Sequence, residues 1–280
     1  MREIAAEEIT RVVAELCQEA NFYLGEDLIA ALKDGLAQEL SPVGQECLRC
    51  LLDNAELARE ERMPVCQDTG MAVVFADLGQ EAMVVGADFN QAIEEGVRRG
   101  YREGYLRKSV VNDPLDRVNT GDNTPPVVHL RIVPGDRLTL TVAPKGFGSE
   151  NMSALKMLTP AQGVEGVKRF ILDTVLQAGG NPCPPVVVGV GIGGTMEMAA
   201  ILAKRALLRP VGSSHANPFY AGMERELLAA INQSGIGPQG LGGRITALGV
   251  NIETYPTHIA GLPVAVNISC HVTRHRSRTL

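Results

Sequence analysis

Three of the six cysteines lie in segments that are typical of binding sites rather than of a hydrophobic core. They are Cys66 in PVCQDTG, Cys183 in NPCPP and Cys270 in NISCH. Prolines, glycines or predicted strand ends flank all three, and such positions present a thiolate at the end of a rigid element. Three thiolates suit an iron–sulfur cluster with one iron left open for a substrate, because closed clusters take four cysteines.

Spacing alone leaves two further roles open for these cysteines. A free cysteine often serves as a small buried hydrophobe. A structural zinc site would need a fourth ligand, for which His258 and His271 are the candidates. Cys47 and Cys50 form a CxxC, but they lie in a helical pattern without a second CxxC, and Cys17 also falls within a helical pattern. We interpret these last three cysteines as helix positions rather than ligands.

Two polar segments could add chemistry beside Cys66. Asp68 follows it by two residues, where a carboxyl group could transfer a proton or close an Asx turn onto its own backbone. Residues 145–151 (KGFGSEN) form a glycine-rich stretch after a predicted strand. Its backbone N–H groups could approach an anion, with Lys145 and Ser149 adding a charge and a hydroxyl. A plain strand-to-helix connection is the alternative.

A second glycine-rich stretch, residues 186–194 (VVVGVGIGG), contains a GxGxxG pattern at Gly189, Gly191 and Gly194. Between a strand and a helix, this pattern is typical of dinucleotide sites. Such sites also need an acidic residue about 20 positions later, and residues 198–223 contain no Asp or Glu. A non-catalytic nicotinamide-binding module is thus the alternative from a different class. We expect the glycines instead to let Cys183 and the N-terminus of the following helix approach a ligand closely.

The composition argues against several classes of function. Among the 280 residues 45% are hydrophobic and the net charge is −6, so the chain lacks the basic surface of a nucleic-acid-binding protein. No apolar run approaches the ~20 residues that span a bilayer, and the N-terminus lacks the apolar stretch of a signal peptide. We expect a cytoplasmic protein that binds neither nucleic acid nor membranes, and whose cysteines are reduced.

The hydrophobic pattern predicts an α+β (mixed α/β) fold with mixed and antiparallel sheets. Residues 1–62 are interpreted as a helical subdomain, whose third helix begins at Ser41-Pro42, packed on a domain of residues 63–280 or continuous with it. Two alternating stretches joined by Pro-Gly-Asp predict a hairpin, and the basic C-terminus is interpreted as a tail. The predicted positions are: hairpin strands 127–133 and 137–143; tail 271–278; other strands 71–78, 186–190, 244–254 and 262–269; helices 89–104, 195–208, 219–233 and one from a capping box at Thr159 to Gly179.

Taken together and in order, these motifs resemble the class I, iron–sulfur-dependent fumarate hydratases and the closely similar L-tartrate dehydratases. The resemblance runs from about residue 60 to the C-terminus. Several ordered motifs make it more specific than any one of them. The motifs are VCQDTG (65–70), LRKSV (106–110), NTGDNTP (119–125), PKGFGSEN (144–151), the CPP and GIGG run (183–194) and ISCH (268–271).

The resemblance implies a [4Fe–4S] cluster held by Cys66, Cys183 and Cys270, with the fourth iron binding substrate. It implies that Asp68 donates a proton to the leaving hydroxyl and that His258 helps to orient it. By spacing alone, Arg107 would be interpreted as a solvated charge and His258 as a turn residue. The residues implied to contact substrate are Gln67, Asp68, Arg107, Lys145, Gly146, Gly148 and His258.

The resemblance also implies a reaction and a partner. The expected reaction is the reversible hydration of fumarate to L-malate, with L-tartrate dehydration as the alternative. Single-chain relatives continue into a second domain after the last cysteine motif, whereas this chain ends at Leu280. We therefore expect an alpha subunit that needs a separate beta subunit to complete a site for a C4 dicarboxylate, and that also self-associates.

Overall fold

The computed structural model describes residues 1–280, and the chain forms two compact units that are described separately. Unit 1 comprises Met1–Leu24, Ala55–Phe147 and Arg274–Leu280, and unit 2 comprises Gly25–Asn54 and Gly148–Thr273. Helices and strands mix without strict alternation, which confirms the α+β prediction. The boundary expected near residue 62 stays a prediction. None of the helices combines the length and apolar composition needed to cross a membrane.

The elements are numbered along the chain. The helices are α1 (Ala6–Phe22), α2 (Glu26–Gln38), α3 (Pro42–Glu61), α4 (Phe89–Glu103), α5 (Phe147–Glu150), α6 (Gly163–Ala178), α7 (Met196–Ala206) and α8 (Pro218–Asn232). The strands are β1 (Arg2–Ala5), β2 (Met71–Gly79), β3 (Ala82–Val85), β4 (Val127–Val133), β5 (Leu138–Lys145), β6 (Ala154–Leu158), β7 (Val186–Gly193), β8 (Ala247–Tyr255), β9 (Leu262–Ser269) and β10 (Arg276–Thr279).

Unit 1 is built on a four-stranded sheet in the order β10-β5-β2-β4. Strand β2 pairs with β5 antiparallel and with β4 parallel. Helix α1 packs against β5 and α4 through residues that recur at helical spacing and are fully buried, which are Ile9, Val12, Val13 and Leu16. Gly96 and Gly100 let the two helices meet, because an added Cβ would lie 2.7 Å from a backbone oxygen of α1 in each case. This core supports the Cys66 segment (residues 66–70), which leads into β2.

The predicted hairpin of residues 127–133 and 137–143 is wrong, because β2 lies between β4 and β5. The Pro-Gly-Asp turn bonds to the end of β2 instead: the N–H of Gly79 donates to Arg137 O at 2.7 Å and that of Gln80 to Val133 O at 2.9 Å. The alternating pattern identified two strands but not their partners. The buried run in β2 was the available signal for a central strand, since such strands are covered on both faces.

Unit 2 is built on a four-stranded sheet in the order β6-β9-β7-β8, with every residue of β7 buried. Helix α7 packs closely on β7 at its glycines. A Cβ at Gly189 would lie 2.2 Å from Ala203 O, and one at Gly191 would lie 2.0 Å from Ala199 O. The GxGxxG pattern is therefore accounted for by strand–helix packing.

Both predicted helix starts are confirmed. The Oγ of Ser41 accepts from Gly44 N at 3.2 Å at the start of α3. Thr159 and Gln162 form the expected capping box, which opens a short 3₁₀ turn before α6 begins at Gly163. The capping residues thus locate the helix starts to within one turn.

The two termini differ from the sequence-based expectation. The first residues form strand β1, parallel to β3, rather than the start of a helix. The C-terminus is not a tail, because β10 pairs antiparallel with β5. The guanidinium of Arg278 in β10 pairs with Glu15 and Glu19 of α1, and these contacts fix the chain end in unit 1.

Candidate functional site

In unit 1 the Cys66 segment is closed by Asp68. Asp68 Oδ1 accepts from Gly70 N at 2.9 Å, which forms an Asx turn, and Oδ2 accepts from Phe147 N at 2.9 Å. Gly146 passes so close that a Cβ there would lie 3.1 Å from Oδ2. The Cys66 thiol is half-buried. The carboxylate therefore joins the Cys66 segment to the start of the glycine-rich loop.

Arg107 is held beside this segment through its backbone. The Oγ1 of Thr69 donates to Arg107 O at 2.9 Å. Asn123 accepts from Ser109 N at 2.7 Å and donates to Gly70 O at 3.1 Å. Thr69 and Asn123 are 1% and 0% exposed, whereas the Arg107 side chain is exposed. The fold thus fixes the Arg107 backbone and leaves its guanidinium accessible to a ligand.

Asn123 was named in no sequence-based role, although it lies in the NTGDNTP motif. Its φ of +65° is one that Asn adopts far more readily than most residues, so an Asn in a loop before Thr-Pro was the available signal. Behind it, the hydroxyl of buried Tyr101 donates to Thr69 O at 2.8 Å and Gly70 O at 3.0 Å. Burial raises the pKa of Tyr101, so it acts as a neutral donor.

The glycine-rich loop presents accessible backbone but a buried lysine. Lys145 is 7% exposed, and its Nζ donates to Gly146 O at 3.2 Å. Gly148 is exposed and Gly146 half-buried. The loop therefore exposes its backbone at Gly148, while the Lys145 ammonium donates back to the loop itself.

Arg274 is the functional candidate that the sequence analysis missed, because residues 271–278 were interpreted as a tail. Its Nη2 donates to Asp68 O at 2.5 Å, and the residue is 7% exposed. Its Nε is buried without a hydrogen-bond partner. Arginines at 274, 276 and 278 recur at every second position, the period of a strand. That alternation was the signal against a disordered tail.

In unit 2 the Cys183 and Cys270 segments meet through His271. Cys183 O accepts from His271 N at 3.4 Å, and His271 Nδ1 lies 3.0 Å from the same oxygen. Gln239 braces this contact, because its Nε2 donates to Pro184 O at 2.7 Å and lies 3.3 Å from His271 Nδ1. Cys183 is exposed and has a φ of +56°. Such strained backbone is concentrated at functional sites.

His258 lies in the loop after β8 of unit 2 and is exposed. Its Nδ1 accepts from Ala260 N at 3.2 Å, so Nε2 carries the proton and is directed away from that bond. The ring lines a cavity of about 380 Å³ whose other walls are mainly apolar. These walls include Val164, Ile192, Phe219, Met223, Ile259 and Leu262.

The predicted site residues thus divide between the units. Unit 1 holds Cys66, Gln67, Asp68, Arg107, Lys145 and Gly146, and unit 2 holds Gly148, Cys183, His258 and Cys270. None of the six cysteines forms a disulfide bond. No group of three or more His, Cys, Asp or Glu side chains in the structure is arranged to hold a metal ion. The soft donor set and the contact between the Cys183 and Cys270 segments nonetheless fit thiolate ligation.

Comparison with known proteins places these motifs in a family. The family model described as fumarate hydratase (Fumerase) matches residues 10–279. The chain is 44% identical over 274 residues to the putative L(+)-tartrate dehydratase subunit alpha of Methanocaldococcus jannaschii, with 95% of both chains covered. It is 35% identical over 280 residues to the L(+)-tartrate dehydratase subunit alpha of Escherichia coli strain K12, covering 99% of this chain and 91% of that one. The chain therefore belongs to the fumarate hydratase (Fumerase) family.

Proposed function

We propose that this chain is the alpha subunit of a hydro-lyase that acts on a C4 dicarboxylate, with L-tartrate as the first candidate substrate. Family membership supports a lyase, and the alpha subunits that it resembles are named for L(+)-tartrate. The sequence analysis favoured fumarate, and these names reverse that order. Fumarate hydration is the second candidate, because the matching family model carries that name.

The observation that carries the proposal is the Cys66 segment. It brings the half-buried Cys66 thiol close in sequence to the Asp68 carboxyl group and to the Arg107 backbone, which are held by buried and partly buried hydrogen bonds of Asp68, Thr69 and Asn123. Asp68 would donate the proton to the leaving hydroxyl, and its two backbone bonds hold the carboxyl group in one orientation for that transfer. The exposed Arg107 guanidinium would bind a substrate carboxylate through its planar fork.

The other site residues would orient the substrate. The Gln67 side chain and the backbone N–H groups of Gly146 and Gly148 would bind carboxylate oxygens, with Lys145 supporting the loop. His258 would donate from Nε2, since its Nδ1 already accepts from Ala260. These groups bind and orient, which leaves protonation of the leaving hydroxyl to Asp68, while the base that removes the proton from the neighbouring carbon would come from the beta subunit.

Cys66, Cys183 and Cys270 would hold a [4Fe–4S] cluster. When bound, the cluster would supply a Lewis-acidic iron that helps the hydroxyl to leave. The proposal of three ligands is supported by the absence of disulfide bonds at these cysteines and by the left-handed Cys183 backbone. Cys17, by contrast, is fully buried, and burial raises the pKa of its thiol to about 12, so it is unsuited to ligation.

A beta subunit is part of the proposal, because both relatives are named as alpha subunits. A dianionic substrate also needs more positive charge than Arg107 and Lys145 offer, since burying unpaired carboxylates is costly.

We further propose that alpha chains self-associate and that the enzyme is cytoplasmic. The exposed apolar side chains around the His258 cavity are available to such contacts.

The test is anaerobic reconstitution of the chain, alone and with its beta subunit, followed by iron and sulfide counts and assays with L-tartrate and L-malate. We expect iron and sulfide in the alpha chain, and turnover only in the assembled enzyme. Stoichiometric zinc without sulfide would refute the proposed iron–sulfur cluster. Full turnover by the alpha chain alone would refute the proposed need for a beta subunit. Saturable binding of NAD would favour the nicotinamide module instead.

A further inference from the structure

Arg274 is a buried cation without a counter-ion. Its residue is 7% exposed, its Nη2 donates to Asp68 O at 2.5 Å, and its Nε has no hydrogen-bond partner. It forms no ion pair. Burying a charge in this state is costly unless another charge compensates it, so an anion bound at this segment would stabilise the guanidinium.

The two next arginines along the chain, Arg276 and Arg278 in β10, are held differently from Arg274. Arg276 is half-buried and donates to the carbonyls of Tyr23 and Leu24. Arg278 pairs with two carboxylates of α1. Of these three arginines, only Arg274 is buried, and its one hydrogen bond is to a neutral carbonyl.

The guanidinium lies beneath the Cys66 segment. It donates to the carbonyl of Asp68, and the Tyr101 hydroxyl donates to the next two carbonyls of the segment, those of Thr69 and Gly70. Burial raises the pKa of Tyr101, and the Arg274 charge partly opposes that rise, which places the charge within electrostatic reach of this side of the segment. A molecule entering from solvent does not reach the buried Nε, whereas a resident anion would interact with the charge through the protein interior.

We propose that Arg274 is a positioning residue whose charge compensates the anionic, thiolate-held cluster at Cys66. Three thiolate ligands give such a cluster a net negative charge, and the guanidinium offsets it from beneath the segment. The inference rests on the proposed function, because the anion is the proposed cluster. It also explains why an arginine is buried here at a cost to the apoprotein.

The experiment compares Arg274→Gln, Arg274→Lys and the control Arg276→Gln. After anaerobic reconstitution, iron loss to a chelator is timed and the melting temperature of each apoprotein is measured. We expect Arg274→Gln to lose iron roughly tenfold faster than wild type, and Arg274→Lys to stay close to wild type because the charge is kept. The Arg274→Gln apoprotein should melt at or above the wild-type temperature, since a buried unpaired charge is gone.

For the control variant, Arg276→Gln, we expect the opposite pattern of melting temperature and iron loss. Arg276→Gln removes bonds to the main-chain carbonyls of Tyr23, Leu24 and His275, so it should lower the apoprotein melting temperature and leave iron loss unchanged. If the Arg274→Gln apoprotein melts lower or does not fold, Arg274 is structural and the inference is overturned. Unchanged iron loss with a raised KM would assign Arg274 to the substrate and overturn it as well. Wild-type protein that takes up no iron and sulfide would instead refute the proposed function.

Discussion

The Cys66 segment of unit 1 and the Cys183–Cys270 region of unit 2 are held in place by different means. In unit 1 the side chains that hold the backbone are buried, with Thr69 and Asn123 at 1% and 0% exposure. In unit 2 the two cysteine segments are joined by half-buried side chains, His271 and Gln239, which bond the carbonyls of Cys183 and Pro184. One region is fixed from within the core and the other near the surface.

This difference teaches which groups the fold positions before any ligand arrives. A buried polar network with its partners in place specifies one geometry and is costly to break, whereas half-exposed hydrogen bonds exchange with water and contribute about 1 kcal/mol each. We therefore expect Asp68 and the Arg107 backbone to be preorganised. The positions of Cys183 and Cys270 should depend more on a bound group, since metal binding and folding of a site are coupled.

The largest expected effect is on turnover, from Asp68→Asn in the assembled enzyme. Loss of one general acid typically reduces kcat by ~10²–10⁴, equivalent to about 3–5 kcal/mol. The measurement is kcat and KM with L-tartrate and L-malate. A large loss of kcat would show that proton transfer depends on the Cys66 segment of unit 1, which we expect to be preorganised.

The matched control is Asp113→Asn. Asp113 also accepts two backbone N–H groups, from Leu115 and Asp116, in an exposed loop of unit 1. We expect its turnover to equal that of wild type. Near-full turnover in the Asp68 variant would show that the carboxyl group only closes the Asx turn.

The second effect is on stability and substrate binding together, from Asn123→Ala. The variant loses one buried and one partly buried hydrogen bond, although Gly70 O still accepts from Tyr101, and Ala tolerates a φ of +65° poorly. We expect about 3 kcal/mol less stability by denaturant unfolding. We also expect a raised KM, because the segment that carries Arg107 loses its bond from Ser109 N to Asn123, although Thr69 still holds Arg107 O.

A double-mutant cycle with Arg107→Ala separates positioning from general damage. If Asn123 acts through Arg107, its effect on KM should shrink when Arg107 is already absent. The control is Asn251→Ala in unit 2, which is 2% exposed and donates to Ala206 O at 3.1 Å. It should lower stability and leave KM unchanged. Additive effects in the cycle would contradict the positioning role.

Sequence patterns predicted the local elements better than their partners. The capping box at Thr159 is a local feature and was found, whereas the pairing of β2 with both β4 and β5 depends on contacts distant in sequence. The motif residues Cys66 and Asp68 could be identified as candidates by type and spacing. Asn123 and Arg274 carried only local signals, a loop position before Thr-Pro and a strand period, and their roles come from buried contacts that only the folded chain brings together.

The third effect depends on pH and concerns the loop that carries Asn123. Burial alone would raise the pKa of Asp122, but hydrogen bonds from Arg98 and Thr124 lower it to about 2. A depressed carboxyl pKa stabilises the fold above the unfolded value and is lost as pH falls through the folded value. We therefore expect about 1–2 kcal/mol of stability to disappear between pH 4 and pH 2, allowing for partial solvent exposure.

The measurement is urea unfolding across that pH range for wild type and Asp122→Asn. The variant should be less stable near neutral pH, and its difference from wild type should vanish near pH 2. A difference that stays constant with pH would mean that the Asp122 charge does not support the loop. The Asn123 anchor would then act without help from the ion pair of Asp122 with Arg98.

The smallest effect is expected from Gln239→Ala in unit 2. The variant loses the side-chain bond to Pro184 O but keeps the backbone bond from Gln239 N to the same oxygen, at 2.8 Å. Since the side chain is half-buried, water can replace what is lost, and the expected cost is about 0.5–1 kcal/mol. Iron retention after reconstitution should fall more noticeably than stability, because His271 loses its brace between the Cys183 and Cys270 segments. A loss of stability as large as that of Asn123→Ala would show that the two regions are held alike, and the distinction between a preorganised segment and a ligand-dependent one would fail.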